Sequence, residues 1–113
     1  MNELIEKVKQ WGIQKGITGP NGKGTLLGQL GKTQEELTET RDAAVTCRQH
    51  EPQSLEGIDA WYDIRDGIGD TTVTLILAAE MAGLDFEDCL QTAYNEIASR
   101  TGAMVKGQFV KDK

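Results

Sequence analysis

The stretch Asp63-Ile-Arg-Asp-Gly-Ile-Gly-Asp70 decides how this chain is read. It lies inside an apolar pattern of helical period, yet it holds three aspartates and two glycines. Each Gly costs a helix interior about 1 kcal/mol relative to Ala, and Asp is disfavoured as well. The acids fall at 63, 66 and 70, steps of three and four that keep them on one side of a helix. A calcium loop spaces its first ligands two apart, so this is an acidic helical ridge rather than an EF-hand.

Working outward, Ile58, Trp61, Ile64, Ile68, Leu75, Ile76 and Ala79 predict a buried side for one helix over about 58–82, ended by Gly83. Upstream, Leu26, Leu30, Leu37, Ala44 and Cys47 predict an apolar stripe on a helix from about Leu26 to Arg48. Pro52 and Gly57 punctuate the linker between the two. Asn2 is positioned to cap a first helix carrying Leu4, Ile5, Val8 and Trp11. The glycine-rich segment Lys15–Thr25 reads as a loop. Asp85 is a plausible N-cap for a fourth helix bearing Phe86, Leu90, Ala93, Tyr94 and Ile97, with Glu87 and Asp88 in its first turn. Gly102 closes it. The tail over 100–113 reads as irregular or briefly extended, with no convincing strand pairs. The expected fold is all-α, a bundle of four to five helices in a single domain over 1–113.

The chain has 113 residues and a formal net charge of -6. That balance argues against stable nucleic-acid binding, which needs a basic face, and against an acidic membrane surface. No apolar run reaches the ~18 residues of a membrane span, and the charged N-terminus lacks a signal-peptide apolar region, so a cytoplasmic protein is expected. Cys47 and Cys89 have no zinc-ligand spacing and read as small buried or half-buried thiols. Gly31-Lys-Thr33 lacks the earlier glycine and the strand of a phosphate-binding P-loop. The lone His50 sits in a linker and supports no catalytic triad.

A second set of acids lies on the second helix: Glu35, Glu36, Glu39 and Asp42, of which Glu36 and Glu39 share a face. If the second and third helices pack antiparallel, the two acidic ridges converge. Converging carboxylates repel, and divalent cations relieve that repulsion. Hard cations such as Mg²⁺ take carboxylate oxygens and keep water, leaving room for substrate phosphates. Gly67 and Gly69 remove side chains beside the acids, so a helix or a ligand can come close.

Glu36-Leu-Thr-Glu39 together with Asp66-Gly-Ile-Gly-Asp70 resembles the MazG-like, all-α nucleoside triphosphate pyrophosphohydrolases. The segment before the acids resembles the family's Gln-x-x-Lys element through Gln29 and Lys32. Asn95 and Arg100 resemble its Asn…Arg element, and the ending Arg100–Lys111 is similar to small phage and bacterial members. The likeness runs in order along residues 1–113 and is densest from Gln29 to Arg100. It departs where the family's second pair is Glu-x-x-Asp: the residue three before Asp70 is Gly67. Asp66 or Asp63 must then join Asp70. The resemblance implies Mg²⁺-dependent hydrolysis of a (deoxy)nucleoside triphosphate to monophosphate and pyrophosphate, with Mn²⁺ able to substitute, for nucleotide-pool control. It implies metal ligands among Glu36, Glu39, Asp63, Asp66 and Asp70. Glu36 or Glu39 would orient or deprotonate the water, and Gln29, Lys32, Asn95 and Arg100 would contact substrate. It also implies self-association to a dimer or tetramer. Alternatives are a dUTPase-like hydrolase that also takes diphosphates, and a non-catalytic helical interaction module. Trp11 and Trp61 read as core or interface residues before base-stacking ones, and Lys106 and Lys111 as solvated tail charge.

Overall fold

The computed structural model describes residues 2–113. It contains α1 (Asn2–Gln14), α2 (Leu26–Arg48), α3 (Leu55–Met81), α4 (Phe86–Ile97), β1 (Gly102–Val105) and β2 (Gln108–Lys111). The capping role expected of the Asn2 side chain falls outside the described residues' side chains. The other caps follow local chemistry. The Thr25 hydroxyl accepts from the Gly28 N–H at 3.1 Å, the Ser54 hydroxyl from the Gly57 N–H at 3.0 Å, and the Asp85 carboxylate from the Glu87 N–H at 3.1 Å. At the end of α3, the Leu84 N–H donates to the Ala79 carbonyl and the Gly83 N–H to the Glu80 carbonyl. Gly83 is in the left-handed region at φ 73. This is a Schellman stop, and it needs a residue free of Cβ crowding. The chain then turns so that α4 leaves α3 at 105°.

α2 and α3 form a long antiparallel pair joined by residues 49–54. Their seam is not apolar. The half-buried side of α2 is Gln29, Thr33, Glu36, Thr40, Ala43 and Cys47, a helical row of mostly polar residues. It meets Gly57, Ala60, Ile64, Gly67, Thr71 and Thr74 of α3. The Gln29 amide donates to the Thr74 carbonyl at 3.3 Å, and the Thr33 hydroxyl lies 2.8 Å from the Thr74 hydroxyl, which itself donates to the Thr71 carbonyl at 2.6 Å. Thr40 donates to the Glu36 carbonyl at 2.7 Å, and its side chain fills the place where a Cβ on Gly67 would stand. Small residues on α3 let the two backbones come close.

The apolar core lies elsewhere. Ile5 of α1 and Ile76, Leu77, Ala78 and Ala79 of α3 are buried where α1 crosses the last turns of α3. The Lys15–Thr25 loop closes that end. It is folded by its own backbone: Ile17 N–H donates to Gly12 O at 2.9 Å, Lys23 N–H to Gly16 O at 2.9 Å, and Gly24 N–H to Ile17 O at 3.0 Å. It is therefore a compact connection rather than a flexible one. Lys9 ties α1 to α3, 3.1 Å from Glu6 and 3.8 Å from Glu80.

Three expectations need correction. The stripe read on α2 does not face α3: Leu26, Leu30, Leu37 and Ala44 are exposed, and only Cys47 of that set is half-buried. On α3, Ile76 and Ala79 are buried and Ile64 half-buried, whereas Ile58, Trp61, Ile68 and Leu75 are exposed. Periodicity locates an apolar face but not what covers it. The tail, read as lacking strands, folds as an antiparallel hairpin with Ala103 opposite Val110 and Met104 opposite Phe109. Lys106 (φ 51) and Gly107 (φ 80) form its two-residue turn, a geometry matched to strand twist. Two strands of four residues were too short to raise a period-two signal. The fold is thus four helices plus a small hairpin, mostly helical as expected. Among the described residues no single helix is long and apolar enough to cross a membrane.

Two outcomes test this packing. Gly67→Ala is expected to destabilise by about 1–3 kcal/mol in denaturant unfolding, because the new methyl meets Thr40; Thr40→Ala in the same chain should recover part of the loss. The hydrogen bond to Glu6 raises the Lys9 pKa above 10.5, burial opposes this, and the Glu80 charge adds to it. A raised folded pKa contributes stability that is complete below pH 10.5 and lost as pH climbs through the folded value. Lys9→Met should remove that alkaline component from the stability profile.

Candidate metal centre

The polar seam leaves the carboxylates of both helices beside it. Successive helix residues turn by roughly 100°. On α2 the turn places Glu36 at the seam and Glu39 and Asp42 to one side of it. On α3 it places Asp63, Asp66 and Asp70 to the matching side of Gly67. In an antiparallel pair these sides are the same face of the layer. Glu36, Glu39, Asp42, Asp63, Asp66 and Asp70 accordingly line one cleft of about 460 Å³, floored by Thr40, Ala43, Thr46 and Gly67.

Gly67 sits four residues after Asp63 and three before Asp70, and faces Thr40 at the seam. Asp63 and Asp70, seven apart, flank it and are turned toward α2. Asp66 stands further round the helix; its side chain is 68% exposed and leans toward Arg65, whose Nε is 4.0 Å from Asp66 Oδ1. The place where the resembled family puts an acid is therefore occupied by a helix contact. By helix rotation Asp63 and Asp70 lie nearer the seam than Asp66, and all three line the cleft. Asp42 also lines the cleft. Its helical offset of three from Glu39 was the signal for it.

Glu36 is the least exposed carboxylate for which an ion pair is seen. Its side chain is 15% exposed, and Lys32 Nζ lies 3.6 Å from Glu36 Oε1 and 3.8 Å from Glu35 Oε1. Lys32 thus holds Glu36 at the cleft's end. Glu35 faces a separate depression beyond Gly31 and Thr38. The other expected substrate contacts are not brought to the cleft within the chain. Gln29 commits its amide to Thr74 in the seam. Asn95 accepts from the Gln91 amide at 2.9 Å on the exposed surface of α4, and Arg100 is exposed beyond that helix.

Among the described residues no three His, Cys, Asp or Glu groups stand close enough to share a metal as they are placed. The six carboxylates are instead spread along the two helices around the cleft. The donor set is oxygen only, with no His or Cys, and it suits a hard cation that keeps part of its water. The residues present fit Mg²⁺ or Mn²⁺. No family model, no curated protein and no solved structure matches this chain.

Charge repulsion and cation binding make opposite demands on this cluster, which gives a test. Without divalent cation, Asp70→Asn should be more stable than the parent, because it relieves repulsion. In saturating Mg²⁺ the order should reverse, since a ligand at a hundred times its Kd stabilises by about 2.7 kcal/mol and the variant loses this gain. Thermal melts with and without Mg²⁺ read both signs. Asp63→Asn should behave like Asp70→Asn, and Asp66→Asn should do so more weakly.

Proposed function

We propose that the chain is a Mg²⁺-dependent nucleoside triphosphate pyrophosphohydrolase of the MazG-like kind, releasing monophosphate and pyrophosphate. The observation that carries this reading is the convergence of six carboxylates from α2 and α3 on a single cleft. Packing stability gains nothing from such a cluster, whereas a metal-bridged polyphosphate needs one. A Mg²⁺ ion held by Glu36, Glu39, Asp63 and Asp70, with Asp66 further from the seam, would supply charge neutralisation and polarise the α-phosphorus.

The chain's own residues would do the rest. Glu39, more exposed than Glu36 at the cleft, accepts the proton of the attacking water. Glu36 is paired with Lys32, one turn back on α2. Lys32 is then placed to move from Glu36 onto a phosphate oxygen as negative charge builds there. Asn95 and Arg100 lie outside the cleft of their own chain, so their role would require a second chain to bring them to it. Mn²⁺ would substitute for Mg²⁺ on the same oxygen ligands.

Self-association belongs to the same reading. Leu30, Leu37 and Ala44 on α2 and Trp61, Ile68 and Leu75 on α3 each recur every seven residues. By helix rotation they occupy the face of the α2–α3 layer opposite the acids. Leu37 is 57%, Trp61 54% and Ile68 60% exposed in the single chain. A heptad-spaced apolar face on a helix pair matches a second such pair, as in a four-helix bundle built from two chains.

Incubation with each (d)NTP and Mg²⁺ should yield monophosphate and pyrophosphate; orthophosphate as the first product would contradict the reading. Glu39→Gln should lower kcat by about 10²–10⁴-fold. Failure of the parent chain to turn over any nucleotide would favour a binding module instead. Ile68→Glu is expected to shift the chain toward monomer in sedimentation, since it sets a charge on the apolar face.

A further inference from the structure

Asp66 and Asp70 belong to two clefts. One is the acidic cleft between α2 and α3. The other lies on the far side of the same acids, between α1 and α3, with a volume of about 740 Å³. Its walls are apolar: Ile5 and Val8 from α1, Val73 and Ile76 from α3, and Phe86 from the start of α4. Ile5 and Ile76 are 5% and 4% exposed and form its floor. A concave apolar site of this size, edged by a few polar groups, is typical of small-molecule pockets.

Gly69 lines this second cleft, and nothing else accounts for it. Unlike Gly67 it touches no neighbour, because a Cβ built there meets nothing within 4 Å. Its backbone is helical and needs no left-handed freedom. Glycine is among the poorest helix residues, so its presence weakens α3 without a return from packing. What it does provide is open space beside Asp66 and Asp70.

We propose that the α1–α3 cleft holds the base of the nucleotide whose phosphates occupy the acidic cleft; this rests on the phosphohydrolase reading above. One ligand can span both sites because the two aspartates form the ridge between them. A flat ring then lies over Gly69 against the apolar walls. A second protein chain is a poor occupant of this apolar cleft, because apolar side chains filling it would cover Asp66 and Asp70 without pairing their charge. The face with heptad-spaced apolar residues is on the other side of the layer.

The walls also set the selectivity. Thr72 donates its hydroxyl hydrogen to the Ile68 carbonyl at 2.8 Å, and the Arg65 guanidinium stands 4.9 Å over the Tyr62 ring. Apolar side chains make up most of the lining, and the polar residues at its edge, Arg65, Asp66, Asp70 and Thr72, are exposed rather than buried. Strong base discrimination needs buried hydrogen-bonding groups that a wrong base would leave unpaired. Purine and pyrimidine nucleotides should bind within about tenfold of one another.

Calorimetry in Mg²⁺ separates the two sites. The probes are the α,β-imido deoxynucleoside triphosphates of the four bases, which resist cleavage, and inorganic tripolyphosphate, which has no base. The parent chain should bind the nucleotides at least about tenfold more tightly than tripolyphosphate. Gly69→Leu fills the cleft from α3, and Leu4→Trp fills it from an exposed position on α1. Both should erase that difference and leave tripolyphosphate binding unchanged. The inference is overturned if the parent binds both probes equally, if the variants leave the difference intact, or if they weaken both probes alike. A change of oligomeric state with Gly69→Leu would also overturn it, assigning the cleft to a second copy. If neither probe binds the parent in Mg²⁺, the phosphohydrolase reading fails first and this inference with it.

Discussion

Thr40 seated over Gly67 is the contact on which the rest of the arrangement depends. It sets how closely α2 and α3 approach, and it does so at the centre of a seam made of hydroxyls, an amide and small residues. Hydroxyl groups in such a seam are satisfied by nearby helix carbonyls, as for Thr40 on Glu36 and Thr71 on Gly67. The seam therefore costs little in unpaired polar groups, but it buries few large apolar side chains. Apart from Ala60 in the seam, the buried hydrophobic side chains among the described residues lie where α1 crosses the last turns of α3.

A polar seam has two consequences for the layer. The acids beside it all fall on one face, and the large apolar residues of both helices fall on the other. Both faces are open in the single chain. The acidic face concentrates like charge on two stiff helices. The apolar face exposes a row of leucines, isoleucine and tryptophan to water. The hairpin and α4 add to that exposure through Leu90, Tyr94, Ile97, Met104 and Phe109, and a lone two-stranded hairpin is marginal in water.

Much of this was legible in the residues. The Asp85 cap was legible, and α2 begins at Leu26 as its loop and spacing indicate, whereas Ser54 starts α3 at Leu55, ahead of the expected start near Ile58. The two acidic ridges were legible because charge at steps of three and four has one geometric meaning on a helix. The direction of burial was not. Leu30, Leu37, Trp61 and Ile68 look like core by every local criterion, and the seam instead took Gln29, Thr33 and Thr40. Local patterning ranks faces by hydrophobicity, whereas the chain packed the face on which small and hydroxyl residues allow close approach. Gln29 was expected to contact substrate only through the family resemblance; its bond to Thr74 spans 45 residues of sequence, beyond any local pattern.

The sequence by itself determined the helices, their caps, the acidic ridges and the oxygen-only donor set, because these depend on neighbours within one or two turns. Tertiary structure alone decided two further things. It turned the acids of α2 and α3 into one cleft, and it gave Gly67 and Gly69 different surroundings. The two glycines are chemically identical and two residues apart, yet a helix turns about 200° between them. One therefore meets Thr40 across the seam, and the other opens onto an apolar cleft. That difference exists only once a second helix is present on one side and α1 on the other.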